Sequence, residues 1–367
     1  MKKIIVAIAA LALMASSAYA AEWNFYGEAM VYTGWVDSDP VDDSTVGETI
    51  GNFIDDFGDD LQYDEGLYTI AKIGAYVKVS DELSGRFEYQ VKDGDVVLEH
   101  LYGAWNFGSG ILTVGHTDTP INVAYSEQLT SNGTYEDLGL GGFGDFDNGQ
   151  NAEIMLTFGG FSIAVINPER SAWTWNTDET SYEVEDGDYT NTQAVIPMIA
   201  ACYKATFDMG EAQIAGGYNT FEIDDSEDID AYGVALGAQL NFGALGMFVT
   251  GVWGQNIANL GTETASQYTG YAIYDGVDVN DCESMGGTIG VTYAVNDMLA
   301  LEAGYGYIHG EFDEGDLSSS IAQSYYLQAA ITLAPGVTVT PEVGMVDHRE
   351  AGTTEDLYFG AAWAIAF

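Results

Sequence analysis

Four basic residues on one predicted hairpin are the clearest candidates for a charged functional surface. The chain holds nine Lys and Arg against 57 Asp and Glu, and setting aside Lys2 and Lys3 in the first 20 residues leaves seven cations. Four of these seven occupy even positions of two consecutive predicted strands whose odd positions are apolar. Because strand side chains alternate between faces, the four should share one face. They are Lys72, Lys78, Arg86 and Lys92.

The apolar face of this hairpin favours one pairing register. That register places Lys78 opposite Arg86 and Lys72 opposite Lys92. Like charges directly opposite each other destabilise a sheet, so we expect a functional reason, a basic ladder on the wall of a water-filled lumen. The alternative is that the cations only neutralise acidic residues on the same face, such as Glu88.

The elements that position this hairpin are short strands of alternating polarity along the whole chain. Seven tight turns join them in pairs and long acidic loops separate the pairs, which predicts an all-β fold, a transmembrane antiparallel β-barrel of 16 strands. The ring should close, because a lipid-exposed sheet edge would leave backbone groups unpaired. The predicted strands are 22–35, 67–79, 85–92, 96–107, 111–117, 151–158, 161–167, 199–207, 211–219, 231–242, 245–255, 285–294, 298–309, 322–333, 337–346 and 356–367.

The two ends of the chain indicate where such a barrel would reside. Residues 1–20 combine a basic start, an apolar run and a small-residue site, which predicts a cleavable signal peptide, and residues 21–367 form the barrel domain. The last strand alternates to a terminal Phe367, which resembles the signal that the barrel-insertion machinery of Gram-negative bacteria reads. We therefore expect the cell outer membrane, with short turns on the periplasmic side and long acidic loops outside.

Composition excludes several function classes. A formal net charge of −48 argues against nucleic acid as a partner, while 24 Tyr and 16 Phe argue against an acidic disordered chain. The four histidines lie in no recognisable nucleophile motif, so we expect no enzyme, and no ligand spacing indicates a metal or cofactor. Cys202 and Cys282 could form a disulfide or remain two independent thiols.

Residues 98–120 carry a family resemblance. This stretch, Leu98 to Pro120, resembles the strand-four to strand-five segment of the general trimeric porins of Gram-negative bacteria, and the overall pattern is similar to porins of anaerobic sulfate- or metal-reducing proteobacteria. The resemblance implies a homotrimer and a loop 118–150 that folds back and narrows the pore. It also implies an inward residue after Gly115, which is His116 here instead of the usual Arg. The acids of the implied constriction loop are Glu127, Glu136, Asp137, Asp145 and Asp147.

The function expected from these features is an outer-membrane porin, a water-filled channel for passive diffusion of ions and small hydrophilic solutes. The acidic loops predict a mild cation preference, and outer-membrane lipid and lipopolysaccharide would surround the barrel. A substrate-specific channel for a sugar or an anion is the main alternative, which the basic ladder favours. A plugged structural surface barrel is the other, although small inward residues such as Gly233, Ala235 and Gly237 predict open space.

Overall fold

The computed structural model describes most of the chain. It covers residues 21–40, 62–92, 95–129, 142–176, 181–185, 192–194, 196–223, 227–262, 264–265, 269–274, 277–313, 319–348 and 354–367. The predicted signal peptide 1–20 and the loop acids Glu136 and Asp137 lie outside the described residues. Within the described ranges, no helix is long and apolar enough to cross a membrane.

Sixteen antiparallel strands form a closed ring, as predicted. Each strand pairs with its neighbours in the chain, and the first pairs with the last, with Ala29 opposite Ile365. The strands are β1 Glu22–Pro40, β2 Gln62–Lys78, β3 Leu83–Lys92, β4 Asp95–Asn106, β5 Ile111–Asp118, β6 Gln150–Phe158, β7 Phe161–Ile166, β8 Met198–Phe207, β9 Gly210–Ile223, β10 Glu227–Phe242, β11 Leu245–Gln255, β12 Cys282–Asn296, β13 Leu299–Phe312, β14 Ser320–Ala334, β15 Val337–His348 and β16 Thr354–Ala366.

The outer surface of the ring is apolar, because alternate residues of each strand point away from the lumen. Phe25 and Ile73, on β1 and β2, are 66% and 59% exposed, and the same pattern continues around the ring through Leu236 and Ile289. Exposure of this much apolar surface suits a hydrocarbon environment rather than water. The seven short turns that join the predicted strand pairs lie at one end of the ring.

The long connections occupy the other end, where two links are nevertheless short, residues 93–94 between β3 and β4 and residues 224–226 between β9 and β10. Four short strands there form a separate sheet, Ala172–Asn176, Ser181–Glu185, Ile273–Tyr274 and Val279–Asn280. A buried 3-10 helix, Ile257–Leu260, follows β11. Cys202 and Cys282 are free thiols rather than a disulfide.

The register of the β2–β3 hairpin differs from the predicted one. Lys78 lies opposite Ser84, Arg86 opposite Tyr76, and Lys72 opposite Gln90, a shift of two residues. A two-residue shift leaves every side chain on its predicted face, so alternation in the sequence cannot reveal it. The predicted ladder of directly opposed like charges was therefore wrong, although Lys72 and Arg86 keep the inward face.

Candidate functional site

A loop that folds back inside the barrel shapes the lumen. We call residues 119–149 the constriction loop, of which 119–129 and 142–149 are described. Its two ends form a short antiparallel ladder in which Asn122 pairs with Asp147 and Val123 with Phe146. Ile121, Val123 and Phe146 are fully buried against small residues of the barrel wall. Hydrophobic burial thus draws the loop inward, since these apolar residues have no other core to enter.

Inward glycines of β9 and β10 make room for this loop. A Cβ atom at Gly217 would lie 2.5 Å from Ile121, and one at Gly237 would lie 2.5 Å from Val123. The small inward residues of this wall, Ala235 and Gly233 included, therefore do not leave open space as predicted, because the loop fills it. The water pathway must follow the rest of the lumen.

A buried carboxylate on β13 holds the middle of the constriction loop. Oε1 of Glu302 accepts the backbone N–H of Glu127 at 2.9 Å and the hydroxyl of Tyr326 at 2.6 Å. Ser126 Oγ lies 2.8 Å from the same tyrosine oxygen, and Gln328 Nε2 donates to the carbonyl of Glu127 at 2.8 Å. Hydrogen bonds to a charged acceptor are stronger than neutral ones, so this cluster fixes the loop to the wall.

A second cluster repeats the arrangement two strands further on. Glu342 of β15 accepts the backbone N–H of Leu129 at 3.0 Å and the hydroxyl of Tyr358 at 3.0 Å. Gln128 Nε2 donates to Tyr358 at 2.7 Å. The residues missed from the sequence are thus two wall acids, which accept from the loop backbone, and two wall tyrosines, which contact the loop side chains Ser126 and Gln128. We call Glu302, Tyr326, Glu342 and Tyr358 the loop clamp.

The returning end of the loop is also bound to the wall, and its acids are structural. Asp145 Oδ1 accepts the hydroxyl of Thr288 at 3.1 Å. Asp147 Oδ1 accepts the backbone N–H of Gly149 at 2.9 Å, and burial raises the pKa of the Asp147 carboxyl. Of the predicted acids in the described part of the loop, only Glu127 therefore presents an exposed side chain.

The predicted cations are distributed along the wall and two of them pair with inward acids. Lys72 Nζ lies 3.1 Å from Glu28 of β1, and Arg86 lies 2.9 Å from Glu88. Lys78 instead pairs with Asp81 in the turn, at 2.8 Å. Neutralisation of neighbouring acids, the alternative to a ladder, thus describes these contacts better.

Arg86 is the most constrained of these cations. Its Nε donates to the hydroxyl of Tyr26 at 2.8 Å, and its guanidinium carbon lies 5.0 Å from the ring centre of Tyr76, within the range of a cation–π contact. Its Nη2 donates to Glu88 Oε2 at 2.9 Å, so most of the guanidinium is engaged by protein partners. Lys92 lies opposite Asp95 at the end of β3.

His100 of β4 and His116 of β5 face opposite ways. His116 pairs with Leu101 and lies on the same face of β5 as Val114. Leu101 and Val114 are 51% and 48% exposed on the apolar outer surface, so His116 points outward with them. His100 faces inward instead, with Nδ1 3.1 Å from Thr117 Oγ1. Because alternation then fixes the even positions of β5 outward, the expectation that His116 lines the constriction was wrong.

A cavity of about 560 Å³ lies beside the constriction loop. Lys72 and Gln90 line it from β2 and β3, whereas Glu302 and Gln328 line it from β13 and β14, and Glu127 reaches it from the loop. Partial burial inside the barrel, together with the charge of Glu302, raises the pKa of the Glu127 carboxyl. The cavity thus joins one wall cation to the exposed acid of the loop.

Comparison with known proteins gives this arrangement a family. The family model for Gram-negative porins matches residues 7–351, whereas no curated protein sequence matches the chain. Among solved structures, the outer membrane channel DcaP of Acinetobacter baumannii is similar over 96% of this chain and 99% of its own, with 15% identity and a TM-score of 0.68. The trimer form of OmpT from Vibrio cholerae is similar over 95% and 100%, with 16% identity and a TM-score of 0.56.

An anion-selective porin from Comamonas acidovorans shares the fold as well, over 95% of this chain and 100% of its own, with 13% identity and a TM-score of 0.54. Sequence identities this low indicate only a common fold, whereas the match to the family model over residues 7–351 shows membership of the family. The chain therefore belongs to the Gram-negative porins and forms an outer-membrane channel for passive diffusion.

Proposed function

We propose that solutes cross this porin through the part of the lumen that the constriction loop leaves free, between Lys72 on the wall and Glu127 on the loop. The observation that carries this proposal is the 560 Å³ cavity that both residues line, while the loop fills the side next to β9 and β10. Rings or rows of charge at such a passage set ion selectivity. Lys72 and Glu127 are therefore the residues that define the constriction.

A mild cation preference follows from the charges around this passage. Lys72 is already paired with Glu28, so Glu127 and Glu302 leave the cavity net negative. Arg86, another inward cation of this wall, is held by Tyr26 and Glu88 and attracts anions less than a free guanidinium would. This argues against an anion-specific channel, and family membership favours a channel over an enzyme.

The test is single-channel conductance and reversal potential in planar bilayers under a KCl gradient. We expect steady conductance for the wild type, a shift toward K⁺ for Lys72→Gln and a shift toward Cl⁻ for Glu127→Gln. Lys78→Gln is the matched control, because Lys78 pairs with Asp81 in the turn and should leave the potential unchanged. Absence of conductance would instead support a plugged structural barrel, and equal potentials for all variants would move the constriction elsewhere.

A homotrimer embedded in outer-membrane lipid and lipopolysaccharide is the assembly we propose. A structural neighbour, OmpT of Vibrio cholerae, is recorded in a trimer form, and the apolar outer face described above suits both lipid and neighbouring subunits. Residues 1–20 would be removed as a signal peptide before assembly. Native mass spectrometry of the detergent-extracted protein should give three copies of a chain starting near Ala21, and a monomer would contradict the trimer.

A further inference from the structure

The cavity beside the constriction loop keeps several polar groups uncommitted. Among the described residues, the side chains of Gln90, Thr292 and Thr340 line it and make no hydrogen bond to the protein. The carboxylate of Glu127 is equally free, since only its backbone N–H and carbonyl are engaged. A polar cavity of this kind, within the roughly 300–1,000 Å³ of ordinary ligand sites, can bind a solute as well as admit it.

One donor and one acceptor of opposite charge remain at this cavity. Lys72 has three N–H donors, of which the contact with Glu28 uses one. Glu302 accepts two hydrogen bonds on Oε1, from Glu127 and Tyr326, whereas among the described residues no hydrogen bond engages the side chain of Glu127. The cavity therefore offers an ammonium from the wall and a carboxylate from the loop.

Resting on the diffusion pathway proposed above, we propose that this cavity is a binding subsite for small zwitterions, namely free amino acids and dipeptides. The ammonium of the solute pairs with Glu127 and its carboxylate pairs with Lys72. The apolar side chain of the solute contacts Met30 and Leu129, which line the same cavity. Gln90 is placed to hydrogen-bond an amide or carboxyl group.

Singly charged solutes are less well matched to this pair of groups. A solute with only a carboxylate meets the repulsion of Glu127 and Glu302, and a solute with only an ammonium leaves the remaining N–H donors of Lys72 without an acceptor. A zwitterion satisfies both centres, whereas a neutral solute satisfies neither by charge. Discrimination of this sort depends on unmatched charges as much as on attractive contacts.

Uptake into proteoliposomes containing the full-length mature protein tests the proposal. The probes are alanyl-alanine, its amide, its N-acetyl derivative and the N-acetyl amide, which are zwitterion, cation, anion and neutral molecule of similar size. Rates are divided by arabinose uptake in the same vesicles. We expect alanyl-alanine to enter several-fold faster than the neutral probe and to saturate at millimolar concentration.

Variants then assign the two halves of the site. Glu127→Gln and Lys72→Gln should each remove the advantage of the zwitterion, whereas Lys72→Arg should retain it and the control Lys78→Gln should match the wild type. Equal rates for the zwitterion and the neutral probe in the wild type would overturn the subsite. If arabinose itself does not enter wild-type vesicles, the proposed diffusion pathway is contradicted. Failure of the pathway is thus distinguishable from failure of the subsite, in which arabinose enters but the zwitterion has no advantage.

Discussion

The backbone N–H of Glu127 donates to Oε1 of Glu302 at 2.9 Å, although 175 residues separate them in the chain. Through this contact β13, a strand late in the chain, sets the position of a loop that begins after β5. Leu129 makes the equivalent bond to Glu342. We therefore expect the width of the passage proposed above to depend on wall carboxylates as well as on the loop.

Removal of the loop clamp should loosen the constriction loop. In Glu302→Ala combined with Glu342→Ala, the partly buried N–H groups of Glu127 and Leu129 lose their acceptors. A fully buried group left unpaired costs about 1–3 kcal/mol, so each loss should cost less than that. We expect a larger and noisier single-channel conductance and a lower urea midpoint of unfolding from lipid vesicles.

Asp81→Ala serves as the control for the clamp. It removes an exposed ion pair with Lys78, and exposed pairs contribute little to stability because water and salt screen them, so conductance and unfolding midpoint should stay near wild-type values. Wild-type conductance and noise in the double variant would show that the wall carboxylates do not position the loop.

The strands could be predicted from the sequence because the membrane imposes a two-residue alternation and tight turns on every hairpin. The register in which neighbouring strands pair was harder to predict from the sequence, as the β2–β3 hairpin shows. Lys78 lies opposite Ser84 instead of Arg86, and the four-residue turn that sets this register, closed by the hydroxyl of Ser80 accepting from Leu83 N–H, leaves no mark on the apolar pattern.

The candidate site was predicted in part. The inward-folding loop and Glu127 came from a resemblance over 23 residues, but the clamp depends on contacts between distant strands. In retrospect, Glu302 and Glu342 each precede a glycine by two positions, and Tyr326 and Tyr358 lie opposite those glycines on the next strand. A ring that lies over a glycine brings its hydroxyl to the acid, a spacing that could have indicated the pair.

A side chain at Gly237 should displace the constriction loop. The Cβ of Gly237→Val would lie 2.5 Å from Val123 and 2.7 Å from Tyr125, and overpacking of a filled interior costs about 1–3 kcal/mol. Gly103→Val is the matched control, because a Cβ there meets nothing within 4 Å. Thermal unfolding in detergent should show a lower midpoint for Gly237→Val alone, and equal midpoints would mean that the loop is not packed against β10.

Neutralising Glu153 should stabilise the barrel. This residue of β6 is 5% exposed, and neither oxygen of its carboxyl group has a hydrogen-bond partner within the described ranges. Burial of a polar group without a partner costs about 1–3 kcal/mol by mutational measures, so Glu153→Gln should raise the thermal midpoint and Glu153→Met should raise it further. A lower midpoint for both variants would reveal a partner that stabilises the carboxylate.

Ion selectivity should depend on pH through Glu127. Its pKa is raised by partial burial and by Glu302, so it takes up a proton at a pH above the ordinary value of about 4.3. As pH falls through that raised pKa, the passage loses a negative charge and the K⁺ preference should decline. The same proton uptake stabilises the folded state, because the charged form is the one that burial and Glu302 disfavour.

Reversal potentials measured from pH 8 downward would follow this titration. Steps of about half a pH unit are needed from neutral pH down to the ordinary pKa of a Glu carboxyl. Glu127→Gln should flatten the upper part of the curve and begin with less K⁺ preference at neutral pH. Asp81→Asn is the control, since its hydrogen bond with Lys78 keeps the pKa of Asp81 below the ordinary value and the residue lies in the turn. A curve that Glu127→Gln leaves unchanged would assign the titration to another group lining the passage.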